Sequence, residues 1–195
     1  MKGFSFGLKS FFGICLFLGL SSLALATEIP QWTISVPDSH IQFTGQQNNA
    51  PISGEFKQFE GQIFFSPEQL TESKAEFTID IASLWTSYKA IADALKEEDW
   101  FNAALFPKAS FASDSVTLLE NKTYEVKGKL SIRDKSAPLT FQFNLTEYTP
   151  EQARLSGSFT INRTDYGVGQ GDWASTDEIK DQVKVKFDLV LNIKK

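Results

Sequence analysis

His40 is the only histidine in the chain, and an imidazole is the first group to test for general-base or metal-ligand chemistry. It falls on the polar side of an alternating stretch, with Ile41 and Phe43 on one parity and His40, Gln42 and Thr44 on the other. That placement reads as a hydrogen-bonded surface histidine. No nucleophile elbow accompanies it, so a Ser-His-Asp triad has nothing to build on. The single cysteine, Cys15, lies in an N-terminal segment that reads as removable, which leaves the rest of the chain without a thiol nucleophile, a disulfide or a Cys/His metal cluster. The carboxylate runs Glu97-Glu98-Asp99 and Asp177-Glu178 read as solvated faces or helix ends. Tyr166 to Trp173 is glycine-rich, but it lacks the lysine and the strand-to-helix setting of a phosphate loop. With Arg163 just before it, this stretch suits either the mouth of a cavity or packing on a rim. The residues therefore point to a non-enzyme with no metal and no built-in cofactor.

Elements that could position such groups follow from periodicity. Trp32 to Val36 and His40 to Gly45 read as a strand pair or one long bent strand, interrupted at Pro37-Asp38-Ser39. Gly54 to Phe65 reads as a long strand bent at its glycines, and Lys74 to Ala82 alternates cleanly. Tyr88, Ile91, Ala92 and Leu95 then recur at helical spacing, which predicts one amphipathic helix of about three turns. It ends before Phe106-Pro107, because the residue preceding a proline is pushed out of the helical region. Further alternation runs through Ala109 to Leu119, Tyr124 to Ile132, Leu139 to Leu145, Leu155 to Ile161 and Val183 to Ile193. About eight strands joined by short turns, each with one apolar face, make an antiparallel all-β fold. Long strands in sequence leave open edges unless the sheet closes, so a barrel with the helix capping one end is favoured over a two-sheet sandwich.

Residues 1–26 read as a signal peptide: Lys2 and Lys9, an apolar run from Phe11 to Leu25, and an Ala24-Leu25-Ala26 cleavage site. The run is too short for a spanning helix, so no permanent membrane span is expected. This leaves one domain, 27–195, and an address in a bacterial periplasm. Without Lys2 and Lys9 the remaining chain has 17 basic and 24 acidic residues, a formal charge of −7, which argues against nucleic acid as a partner. Thirteen of the 18 phenylalanines lie beyond residue 26, most on the apolar parity of strands. Periodicity does not separate a packed barrel from a hollow one.

Several short motifs carry a resemblance in the same order along the chain. They are Trp32 with Asp38-Ser39-His40-Ile41-Gln42-Phe43; Gly54-Glu55-Phe56 with Phe59-Glu60-Gly61; Leu95 with Asp99-Trp100-Phe101 and Phe106 to Phe111; Gly128 to Arg133; and Gly157 to Gly167. Together they resemble the YceI family of exported bacterial proteins. The resemblance implies a lipocalin-like, eight-stranded barrel enclosing a tunnel for a polyisoprenoid or a similar amphiphile such as a quinone, held non-covalently. Two departures from the family pattern, Lys89 to Asp93 in the helix and Trp100 in place of the more usual phenylalanine, lie beside that tunnel. The residues expected to contact the ligand are Phe43, Phe77, Ile79, Trp100, Phe101, Phe111, Leu130, Phe143, Phe159, Ile161, Arg163, Tyr166 and Trp173. A carrier for an apolar small molecule is the leading reading. Its alternative is a packed barrel acting as a protein-protein interaction module. Oligomeric state is not legible, and a dimer is compatible with either.

Overall fold

The computed structural model describes residues 28–194; the signal segment read at 1–26 lies outside the described residues. The described strands are β1 (Gln31–Ile34), β2 (His40–Gln47), β3 (Ala50–Phe56), β4 (Phe59–Phe64), β5 (Lys74–Asp80) and β6 (Leu84–Thr86). The helix α1 (Lys89–Lys96) follows, then β7 (Lys108–Leu118), β8 (Thr123–Ile132), β9 (Lys135–Tyr148), β10 (Gln152–Asn162) and β11 (Gln182–Ile193).

Every pairing is antiparallel, and the sheet closes on itself. β11 meets β1 through Trp32↔Ile193 and Ile34↔Leu191, and meets β2 on the same edge through Phe43↔Val185 and Ile41↔Phe187. β1 and β2 are therefore two halves of one long bent strand. By the same logic β3 and β4 form a second, and β5 and β6 a third, since β4 pairs with β1 and β5 while β3 pairs with β2 and β6. Counted in this way the barrel has the eight antiparallel strands that alternation predicts.

The bends have local causes. A 3-10 turn at Val36–Asp38, with Pro37 near its start, separates β1 from β2. A second at Ile81–Ser83 separates β5 from β6, and its second N–H is capped by the Asp80 carboxylate, which accepts from the Ala82 amide at 2.9 Å. The third bend falls at Lys57-Gln58, between Gly54 and Gly61 rather than on either glycine. There the Ser83 hydroxyl accepts from both amides, at 3.1 and 3.0 Å, so the second and third bends are tied together.

One end of the barrel is plugged by rings. Trp32 is 1% exposed and donates its indole N–H to the Phe65 carbonyl at 2.9 Å. Phe65 meets Tyr124 edge-on at 5.4 Å and Phe143 at 5.8 Å, while Tyr124 stacks on Phe143 at 5.1 Å. At the other end β6 turns away from β7, and residues 87–107 are inserted between them. α1 opens this insertion and packs on β6. It has eight residues, two turns rather than three, and Tyr88 serves as its N-cap with 73% of its surface exposed. The spacing that placed Tyr88 on the apolar face is real, but a residue at the cap has no wall to meet. Its carbonyl instead accepts from the Thr86 hydroxyl at 2.7 Å.

Candidate functional site: an apolar cavity with one polar mouth

The interior is hollow. A cavity of about 370 Å³ lies under the α1 end, and a second of about 160 Å³ lies toward the ring plug. Ile41, Ile79, Leu130, Phe159 and Val185 line both, forming a waist where the two compartments meet. The walls carry the consequence. Phe43, Phe77, Phe111, Phe141 and Phe159 keep inward parity yet are only partly buried, whereas Leu191 and Ala153 on the packed parts of the shell are 0% exposed. An apolar ring facing empty space lacks partner atoms on that side and forfeits their dispersion contacts. A ligand that fills the space restores them.

Two strand glycines help to keep the lumen open. The Phe43 ring lies across its cross-strand partner Gly54, where an added Cβ would stand 2.4 Å from the ring. Phe187 lies across Gly157 in the same way, at 2.5 Å. With no side chain beneath it each ring folds against the wall.

Every sequence-predicted contact residue except Tyr166 reaches one compartment or the other. Phe43, Trp100, Phe101, Ile161, Arg163 and Trp173 line the larger one; Phe77, Phe111 and Phe143 line the smaller; Ile79, Leu130 and Phe159 line both. Tyr166 is 2% exposed and sits in the 3-10 turn Arg163–Tyr166, away from both. Burial, with Asp165 adding to it, raises its phenol above the ordinary value. Sequence reasoning missed Ala90 and Ala94, small residues on one face of α1 that line the larger compartment and remain exposed. Their i, i+4 spacing was the available signal. With Ile52 and Gln47 of the β2–β3 hairpin, and with Trp173 and Ile179, they frame the opening to solvent.

The loop on the far side of this opening is organised by Arg163. Its side chain is buried, and Nη1 donates to the carbonyls of Val168 and Gly169 at 2.9 and 3.1 Å. Nη2 reaches the carbonyls of Trp173, Ser175 and Ile179 at 2.9, 2.9 and 3.1 Å, and Nε reaches that of Lys180 at 3.4 Å. Burial lowers its pKa, partly countered by Asp181. The guanidinium also faces the Trp100 ring at 5.7 Å, and Trp100 meets Trp173 at 5.7 Å. Arg163 thus reaches the cavity wall with its donors already committed to backbone. The positive φ of Gly167, Gly169 and Gly171 lets the loop wrap around it.

His40 is outside the cavity, on the outer face of β2. Its Nδ1 donates to Glu55 at 2.7 Å, and Lys57 bonds the other carboxylate oxygen. Among the described residues no group of three or more His, Cys, Asp or Glu side chains is placed to hold a metal ion.

A closed eight-stranded barrel, bent at three levels, plugged by rings and hollow under a short helix, is a shape shared with known proteins. The YceI-like domain model matches residues 32–191. The chain belongs to the YceI family. A UPF0312 protein of Pseudomonas putida is 30% identical to it over 131 residues, which is 64% of this chain and 68% of the relative. The YceI fold also appears in the crystal structure of Burkholderia cenocepacia BcnA, which is 31% identical and superposes with a TM-score of 0.77 over 80% of this chain and 98% of that one. A polyisoprenoid-binding domain from Saccharophagus degradans, implicated in plant cell wall breakdown, superposes at 0.69 over 85% and 99%; at 16% identity it shows likeness of fold.

Proposed function

We propose that this protein is a periplasmic carrier for a long apolar amphiphile, an isoprenoid chain or isoprenoid quinone, exported by cleavage of the segment 1–26. The observation that carries this reading is the pair of adjoining apolar compartments that share Ile41, Ile79, Leu130, Phe159 and Val185 as a common wall, the larger of them lined by α1. A long apolar lumen of this kind accepts an extended chain and leaves its polar end toward solvent. Transfer of each methylene contributes about 0.8 kcal/mol, so each five-carbon unit contributes roughly 3–4 kcal/mol before ordering costs. A few such units suffice without any reader for the polar end. The polyisoprenoid-binding neighbour of the same fold supports the choice of ligand class. Among the described residues no helix is long and apolar enough to cross a membrane.

Native mass spectrometry of protein secreted to the periplasm of its host tests the proposal. The expected spectrum contains a species heavier than the processed chain by the mass of one lipid, released by organic extraction. Recovery of only the unliganded mass, together with no uptake of an added isoprenoid alcohol or quinone, sinks it.

A further inference from the structure

We infer that the α1 end of the barrel docks on an electrically neutral, zwitterionic bilayer surface, and that the cargo passes between membrane and cavity there without crossing water. The inference rests on the carrier reading and adds to it the surface at which loading takes place. Its physical ground is the insolubility of the cargo. Each five-carbon unit lowers the concentration of free chain in water by roughly two to three orders of magnitude, so a chain of several units escapes a bilayer through water too rarely to supply a carrier. A carrier of such chains has to touch the bilayer, and the part that touches must adjoin the cavity.

The α1 end meets that requirement. Ala90, Ala94 and Trp173 line the larger compartment and are also exposed, so the inner wall and the outer surface are continuous at these side chains. Beside them large apolar groups are left uncovered. Tyr88 is 73% and Leu105 66% exposed, near the two ends of the insertion 87–107, and Trp173 is 39% exposed on the facing loop. Tyrosine and tryptophan join an apolar body to a polar tip, which suits the boundary between head groups and acyl chains. Neither Tyr88 nor Leu105 lines a compartment, so their exposure plays no part in holding the cargo. The outer wall differs: there the half-exposed Trp85 has the Lys57 ammonium over its ring at 5.2 Å.

Charge decides which bilayer. Residues 87–107 and 164–181 contain nine acidic side chains and three lysines. Lys89 is engaged by Asp93 at 2.5 Å, and Lys180 lies on the cavity wall and donates to the Asp177 carbonyl at 2.8 Å. Anionic head groups repel a face with this acidic excess, the reverse of what they do to a basic segment. A neutral bilayer offers the apolar contact without the repulsion.

The test follows a menaquinone with a four-unit tail as it moves from vesicles into the secreted, processed chain, read by quenching of the cavity tryptophans. Loading through a docked complex speeds up in proportion to vesicle concentration, whereas loading through water is limited by escape from the bilayer and ignores it. Proportional dependence is expected, with loading at least about fivefold faster from phosphatidylcholine vesicles than from vesicles rich in phosphatidylglycerol, and added salt narrowing that gap. Tyr88→Ser combined with Leu105→Ser should slow loading by about tenfold or more, each alone giving part of the loss; serine at the N-cap keeps α1 in place. Leu118→Ser should leave the rate unchanged, because Leu118 is exposed at the ring-plug end, where its strand partner is Tyr124. Binding of farnesol added directly in solution should be the same in parent and variants, which also reports that each is folded. Loading that ignores vesicle concentration, runs faster from anionic vesicles or survives the double substitution overturns the docking inference and leaves the carrier reading standing. Farnesol binding without any loading does the same and calls for a membrane protein as the partner. Neither loading nor farnesol binding overturns both.

Discussion

The Arg163 guanidinium stands 5.7 Å from the Trp100 ring with no carboxylate paired to it among the described residues. Six carbonyl oxygens spread over residues 168–180 hold it instead. This one side chain ties together a loop between β10 and β11 whose only regular elements among the described residues are two short 3-10 turns, Arg163–Tyr166 and Gly171–Trp173. Hydrogen bonds to charged groups contribute about 1.5–3 kcal/mol each, and removing the donor strips a partner from the buried carbonyls of Val168 and Gly169 and from four partly buried ones. Arg163→Met should therefore lower stability by about 3–5 kcal/mol. Arg163→Lys should be nearly as damaging, because a single ammonium lacks the planar fork that reaches both sides of the loop. Urea unfolding gives the first number, and amide exchange locates the damage. Protection lost across residues 164–181 with the barrel strands spared is the expected pattern; a uniform loss argues against the loop-centred role.

Gly54 and Phe43 form a second such dependence, this time in the wall. A methyl at Gly54 would stand 2.4 Å from the Phe43 ring and 2.8 Å from the Trp85 carbonyl, so either the ring swings into the lumen or β6 shifts. Overpacking of this kind costs about 1–3 kcal/mol. Gly54→Ala should lose that much stability and also weaken uptake of an apolar probe, since a displaced ring occupies the space the ligand needs. Unchanged probe affinity in a folded Gly54→Ala protein would show that the ring finds another place.

How much of this was legible beforehand follows from which forces are local. Alternation is written residue by residue, so Lys74 to Asp80 or Gln182 to Ile193 declares a strand by itself, and strands in sequence imply closure. The bend at Lys57-Gln58 is not local: it depends on the hydroxyl of Ser83, 25 or 26 residues away. The cavity has the same character. An inward Phe159 has the same parity in a solid barrel as in a hollow one, and only the spacing of the opposite wall decides whether its ring is covered. Arg163 was visible as a cation near a glycine-rich loop, but nothing in that stretch says which carbonyls it takes. Tyr166 looked equivalent to its neighbours and proves to be buried in the shell.

The waist offers a way to separate binding from folding. Leu130 lines both compartments from β8, opposite space rather than packed atoms. Leu130→Trp should therefore fold with a stability change within about 1 kcal/mol, because the added ring enters a void instead of forcing neighbours apart. It should nevertheless close the passage to the smaller compartment. A chain long enough to need both compartments is expected to bind at least tenfold more weakly, whereas a short one that fits above the waist keeps its affinity. A chain-length series of isoprenoid alcohols measures this, and equal losses at every length would show that the two compartments are not filled in succession.

The outer face of β2 and β3 supplies the pH dependence. Burial alone would raise the Glu55 carboxyl, but the hydrogen bonds from Lys57 and His40, reinforced by their charge, outweigh it and hold the pKa below its ordinary value of 4.5. A carboxyl whose pKa is lower in the folded chain than in the unfolded one stabilises the fold above the unfolded value, and that contribution drains away as pH falls through the folded value. Glu55→Gln removes the titration while keeping the shape. The melting-temperature gap between parent and variant should shrink as the solution is acidified below 4.5. Because β3 pairs with β2 through Gln42↔Glu55 beside His40, the loss should appear as fraying of this hairpin, read by faster exchange of its amides at low pH. A gap that persists unchanged at pH 3 would assign the effect of the substitution to packing and not to charge.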